Sequence, residues 1–328
     1  RDLAVCVLIA AKLALGLPLA FHKAKRGQEL PWIGVTLSIN QSRAHMDAIV
    51  TEEKIAEIAA MTNEFVKGNV VPKKRLRTYV SKLQAMASVL FTLRPFLKDF
   101  WAAFYDQYSH APLNCVWTSQ IFTALAWMAA FIAMQREGPL LRRFTLEAHL
   151  NLGIDIYIMT DASPWGLGGV LCIEGRPERY FADWVHDHDC WYLDVVVGSH
   201  RAQQILEALA ILVALRLWAP VWVGKRVSLK IKSDNLTALA MISALKSSGP
   251  ELATIAREMA LDLTSSAYSP DLVSHTPGIM NKAPDELSRK YEPGHRFELP
   301  HVLRKAMQDQ PPERSAAWWR ASTPPTAS

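Results

Sequence analysis

Residues 154–185 read IDIYIMTDASPWGLGGVLCIEGRPERYFADWV. Ile154–Asp161 alternates as a half-buried strand does and ends on an acid. Ala162–Gly166 and Gly168-Gly169 turn the chain into a second strand, Val170–Glu174, and Gly175-Arg-Pro177 turns it into a third, Arg179–Val185. Three strands on such short turns predict an antiparallel meander. Working outward, a strong helix is expected from about His200 to Trp218. A strand follows over Arg226–Asp234, where Val227, Leu229 and Ile231 alternate with Ser228, Lys230 and Lys232. Residues 236–246 and 250–265 read as helices, Asp271–His275 as a short strand and Lys282–Lys290 as a last helix. The order β-β-β-α-β-α-α-β-α predicts an α/β unit with helices packed on a mixed five-stranded sheet.

The chain has 328 residues, enough for about two domains. Of these, 50% are apolar and 20% charged, which excludes a disordered chain. Cys6, Cys115, Cys172 and Cys190 form no C-x-x-C pair, so a disulfide scaffold and a zinc ribbon are excluded. They fit a reducing compartment, cytoplasmic or nuclear. The first residue is Arg1, as in a processed chain or a fragment. The net charge of +5 is uneven: residues 1–152 hold 18 Lys and Arg against 11 Asp and Glu, and residues 153–328 hold 18 against 20. A basic first half suits contact with phosphates, and a solvated basic face equally. Two apolar stretches invite a membrane reading, and both are expected to stay out of one. Leu3–Ala20 is interrupted by Lys12 and Pro18 and is followed, not preceded, by a basic cluster. Gln107–Gln135 lacks formal charge but carries Ser, Thr, Gln, Asn and His, as a buried helix would.

In the first half, residues 3–16 read as a helix ended by Gly16-Leu-Pro18, and Glu29–Asn40 reads as a strand. A helix starts at Thr51-Glu-Glu-Lys54, with acids in its first turn. Another starts at Pro72, with Leu76, Tyr79, Val80, Leu83, Ala87 and Leu90 on one face and Lys73, Lys74, Arg77 and Gln84 opposite. Lys73, Lys74, Arg77 and Lys82 are its candidate phosphate contacts. Arg94-Pro95 is expected to kink or end that helix, and an aromatic-rich continuation runs to Tyr105. A linker is expected around Gly138–Leu152. No catalytic constellation occurs before it.

Four carboxylates stand out in the second half. Asp161 and Asp234 each end a predicted strand, and Asp285 begins the last helix, where the dipole favours an anion. Glu207 is the lone charge in ILEALAILVAL (205–215), with Ala210, Ile211 and Ala214 on its face. A carboxylate buried there needs a cation. Singly, such acids are common caps. Together, with no nearby His/Cys set, they select a hard ion such as Mg²⁺, and two ions would serve phosphodiester hydrolysis. His186-Asp-His-Asp-Cys190 offers a competing zinc-like pattern, read here as a polar surface loop.

Thr160-Asp161-Ala-Ser, Glu207-Ala-Leu-Ala, Ser233-Asp234-Asn and His275-Thr-Pro-Gly-Ile-Met-Asn-Lys-Ala-Pro-Asp285-Glu-Leu-Ser-Arg resemble the four signatures of type 1 ribonuclease H. Their wording is most similar to the ribonuclease H domain of a DIRS-type retroelement polyprotein, over about residues 153–291. The resemblance implies that Asp161, Glu207, Asp234 and Asp285 hold two Mg²⁺ ions, with Mn²⁺ as a substitute. It implies a mobile His275 that helps proton transfer or product release, and Asn235 among the nucleic-acid contacts. The substrate implied is an RNA–DNA hybrid, whose RNA strand is hydrolysed.

Gly16-Leu-Pro-Leu-Ala-Phe-His-Lys23 and Leu30-Pro-Trp-Ile-Gly34-Val-Thr-Leu resemble the last palm segments and primer-grip hairpin of such a reverse transcriptase. Residues 1–40 would then be a palm remnant, 41–150 a helical thumb and connection, 153–291 the ribonuclease H unit, and 292–328 a mostly disordered tail with a short helix near Leu299–Gln308. The Tyr-x-Asp-Asp polymerase motif is missing, so no DNA synthesis is expected, the polymerase region lying upstream. The alternative is a catalytically inactive nucleic-acid-binding remnant of a retroelement. A transposase or integrase is disfavoured, because a Glu-bearing helix directly after the meander suits ribonuclease H.

Overall fold

The computed structural model describes residues 2–321 apart from 20–24, 26, 33, 41, 43–44, 109, 134–137, 146–152, 224, 226, 246–248, 265–271 and 276–280. Asp2–Ala14 is helix α1. Residues 29–40, expected as one strand, are a hairpin of β1 (Glu29–Trp32) and β2 (Val35–Asn40). Gly34 breaks the run with a φ of 75°, a left-handed backbone that glycine adopts without strain. The chain continues through β3 (His45–Val50), α2 (Glu52–Lys67), β4 (Val70–Pro72), α3 (Lys73–Ala87), α4 (Arg94–Tyr105), β5 (Cys115–Trp117), α5 (Thr118–Ala133) and β6 (Leu141–Thr145). Strands β1-β2-β3-β6 form one antiparallel sheet, and β4 and β5 form a small ladder.

Residues 41–150 are therefore not purely helical, and Leu141–Thr145, inside the expected linker, is a strand. The reason is electrostatic as well as steric. Asp47 on β3 is buried opposite Arg143 on β6, which donates to both its oxygens at 2.8 and 2.7 Å. The α3 face expected to be apolar is buried at Leu76, Tyr79, Val80, Leu83 and Ala87. Arg94-Pro95 opens α4 and does not end α3, since proline fits a first helical turn. The apolar segment before Gln135 supplies α5, whose Ile121, Leu125, Trp127, Met128 and Phe131 fill the same helical core.

The second half runs β7 (Ile154–Ala162), β8 (Gly166–Ile173), β9 (Arg176–Trp184), α6 (Asp187–Leu193), α7 (Gln203–Trp222), β10 (Val227–Ser233), α8 (Leu236–Ala244), α9 (Pro250–Thr264), β11 (Leu272–His275), α10 (Lys282–Ser288) and β12 (Met307–Gln308). Five strands make the expected mixed sheet in the order β11-β10-β7-β8-β9, and the two-residue β12 adds an outer edge. β7 pairs antiparallel with β8 and β8 with β9, whereas β10 lies parallel to both β7 and β11. Helix α7 crosses one face and is buried on all sides, from Leu206 through Leu215, between the sheet and α9. Among the described residues, the segment His200–Trp222 is the one helix with the length and hydropathy of a membrane span, and most of it is core. Helix α10 covers the other face, where Leu287 meets Val170, Cys172, Tyr180 and Ala182.

One apolar core runs through both halves. Polar ties reinforce it: Arg257 of α9 donates to Asp99 of α4 at 2.6 Å, and Arg94 donates to the Ala244 carbonyl at 3.2 Å. The segment after residue 291 is not a disordered tail over its described length, and residues 301–303 form a single 3-10 turn where a helix was expected. It straps the molecule. Arg314, fully buried, donates to Asp189 at 2.8 Å, to Asp183 at 2.5 Å and to the Trp184 carbonyl at 2.8 Å. Trp319 is buried against Tyr192, and the Trp127 indole of α5 donates to the Ala321 carbonyl at 2.9 Å. Proline-rich composition hid this order, because the burial comes from a few scattered residues, Leu303, Arg314, Trp319 and Ala321 among them.

Candidate metal centre

Strand register brings the first two acids together. Lys232 lies beside Met159 in the parallel β7–β10 ladder, so two residues further along Asp234 stands level with Asp161 at the carboxyl ends of both strands. That end of an α/β sheet is where side chains converge on a cleft. Glu207 reaches the same point from α7, one turn into the helix. One carboxylate oxygen from each of Asp161, Glu207 and Asp234 lies within 4.8 Å of the others. Asp161 is 7% exposed and Glu207 4%.

Such crowding is unfavourable for ionised acids. Burial, with the charges of Asp285 and Asp234 added, pushes Asp161 up to about 7, although a hydrogen bond from Ser288 opposes the shift. Burial and the neighbouring Asp161 and Asp234 push Glu207 up to about 9. Arg216, two turns along α7, is held by Glu258 at 2.6 Å and Asp262 at 2.8 Å and does not neutralise Glu207. Among the described residues, Glu207 Oε2 and Asp234 Oδ1 are buried with no hydrogen-bond partner. Three convergent carboxylates, two of them with an orphaned oxygen and none ion-paired among the described residues, are a donor set that fits a hard divalent cation. Among the described residues no other His, Cys, Asp and Glu group converges in this way.

The other expected site residues are placed differently. Asp285, on α10, is half-exposed and accepts from Arg289 Nε at 2.7 Å, so it lies outside the convergent set. His275 ends β11 with its backbone opposite Ser233, one residue from Asp234, and its side chain lies outside the described residues. Asn235 caps α8: its Oδ1 accepts from the Ala238 amide at 3.0 Å. Lys73, Lys74, Arg77 and Lys82 all lie on α3 in the first half, and Lys82 is paired with Glu57 at 2.7 Å.

Two polar residues that the sequence reading overlooked support the acids. Ser288 Oγ lies 2.8 Å from Asp161 Oδ2, and the Gln203 amide donates to Glu207 Oε1 at 3.2 Å and to the Ala162 carbonyl. The signal was helical spacing: Ser288 is three residues after Asp285, and Gln203 is four before Glu207. The His186–Cys190 pattern is a helix start and not a loop. His186 caps α6, Asp189 Oδ2 accepts from the His186 amide at 2.9 Å, and Asp183 and Asp189 are both engaged by Arg314.

Several solved structures are similar to the chain at low identity. A ribonuclease H1 isolated from compost by a metagenomic approach aligns at 17% identity over 42% of this chain and 94% of its own, with a TM-score of 0.32. A foamy viral protease–reverse transcriptase in complex with double-stranded DNA aligns at 14% identity over 77% of this chain and 46% of that one, with a TM-score of 0.28. The same viral protein in complex with an RNA/DNA hybrid aligns at 12% identity over 76% and 29%, with a TM-score of 0.26. This chain thus spans less than half the length of the viral chains. No protein-family model and no curated protein matches the sequence.

Proposed function

We propose that the chain is a metal-dependent endonuclease that hydrolyses the RNA strand of RNA–DNA hybrids, as the ribonuclease H part of a DIRS-type retroelement reverse transcriptase. The observation that carries this reading is the convergence of Asp161, Glu207 and Asp234, with a buried oxygen of Glu207 and one of Asp234 left without a hydrogen-bond partner. These three would hold Mg²⁺, or Mn²⁺ in its place, with Asp285 available to a second ion. The bound ions would supply charge stabilisation to the attacking and leaving oxygens of the phosphodiester. The chain's own contribution is placement. Strands β7 and β10 fix two carboxylates side by side, α7 holds the third out of water, and Gln203 orients it. His275, beside Ser233 in the ladder, would assist proton transfer or product release. The basic face of α3 would track the phosphates of the hybrid.

The test is incubation of the full chain with end-labelled hybrid and Mg²⁺. Cleavage of the RNA strand alone, lost in Asp161→Asn and Asp234→Asn, is expected, with no primer extension on any template. Hybrid binding without cleavage would instead favour an inactive nucleic-acid-binding remnant. DNA synthesis would overturn the reading of this chain as a nuclease alone.

A further inference from the structure

We infer that Ser288 is a positioning residue for Asp161, locking the orientation in which that carboxylate accepts a divalent cation; this rests on the metal-centre reading above. Ser288 is fully buried at the end of α10, and its hydroxyl lies 2.8 Å from Asp161 Oδ2 and 2.8 Å from the Asp285 carbonyl. One proton serves two acceptors. The bond back to the carbonyl three residues earlier is the generic alternative for a helical serine. An ionised carboxylate competes with it well, because a charge-assisted hydrogen bond is roughly twice as strong as a neutral one.

The surrounding backbone is built for this contact. A Cβ on Gly168 would lie 2.4 Å from the Pro284 carbonyl and 2.7 Å from the Ser288 amide, and one on Gly166 would lie 2.7 Å from the Ser288 carbonyl. These two glycines of β8 let α10 rest directly on the strand next to Asp161. Ser163 completes the seat by donating to the Ser288 carbonyl at 2.7 Å. Ser288 is therefore held on both sides and its hydroxyl has one charged target. With Oδ2 occupied, the rotation of the Asp161 carboxylate about its terminal bond is fixed before any cation arrives. Partners of this kind, one bond removed from a ligand, commonly change metal affinity by about 10–100-fold.

The experiment is a Mn²⁺ titration of the full chain at 25 °C, followed by the electron paramagnetic resonance signal of the free ion and repeated in competition with Mg²⁺. Ser288→Ala should bind about tenfold more weakly than wild type. Ser288→Thr, which keeps the hydroxyl, should recover most of that loss. Circular dichroism at the same temperature checks that each variant is folded. Equal affinity of Ala variant and wild type overturns the inference, as does a Thr variant as weak as the Ala one, since the loss would then come from altered shape and not from the hydroxyl. Failure of wild type itself to bind Mn²⁺ or Mg²⁺ would remove the metal-centre reading, and this inference with it.

Discussion

An acid that cannot be solvated keeps its proton, and at the carboxylate cluster this makes stability a function of pH. The folded chain holds protons on Asp161 up to about 7 and on Glu207 up to about 9, whereas unfolded they leave near 3.8 and 4.5. Between those limits the unfolded state has lost protons that the folded state retains, so metal-free stability should fall as pH rises from about 4 to 9. Thermal melts in EDTA across that range should show the fall in wild type and a shallower one in Glu207→Gln. Mg²⁺ should raise the wild-type melting temperature by mass action and leave the Gln variant nearly unmoved. A wild-type melt indifferent to both pH and Mg²⁺ would remove Glu207 from the site. Asp285 is a different case, because Arg289 already engages it. Asp285→Asn should cost hybrid cleavage about tenfold, against roughly 10²–10³-fold or more for Asp161→Asn. Equal losses would place all four acids on one footing.

Helices set how each half meets its surroundings. Helix α10 sits on β8 because Gly166 and Gly168 have no side chains. Gly168→Ala should push the helix off its seat and cost about 1–3 kcal/mol of stability, as overpacking does. Urea unfolding measures it, and a neutral result would mean that α10 shifts freely. Helix α3 presents Lys74 and Arg77 to solvent, whereas Glu57 engages Lys82 and Glu64 engages Arg75. Replacing Lys74 and Arg77 together with Gln should therefore weaken hybrid binding and flatten its salt dependence by about 0.9 in slope per lost phosphate contact. Lys82→Gln should do less. An unchanged slope in the double variant would assign the basic face to solubility alone.

At the scale of the whole molecule, the closing segment is a structural part of the α/β unit. Arg314 answers two buried acids at once, so Arg314→Ala would strip Asp189 of its cation and leave Asp183 with His186 alone. Removing one side of a buried ion pair typically costs about 3–5 kcal/mol, and chemical denaturation should show a loss of that size. A fragment limited to residues 153–291, the bounds drawn from motifs, lacks this clasp and the core shared with α4 and α5. It should unfold at lower denaturant and with less cooperativity than the full chain. A stable, cooperative 153–291 fragment would show that strap and shared core are dispensable.

Much of the site was legible in the sequence. Period-two alternation marked β7 and β10, and an acid at the end of each was readable because strands point successive residues to opposite faces. The lone charge in an apolar helix marked Glu207 for the same reason, since burial without a partner is costly. Local pattern reached no further than that. That Asp234 stands beside Asp161 depends on which strands are neighbours, and that Ser288 meets Asp161 depends on a helix seated by two distant glycines. Leu141–Thr145 was expected as part of a linker, and the strand it pairs with, where Asp47 engages Arg143, lies far away in the chain. Arg314 and Trp319 looked like tail because their partners lie in another element altogether. Periodicity records what each residue needs from its own helix or strand. Only tertiary structure decides which distant residue supplies it.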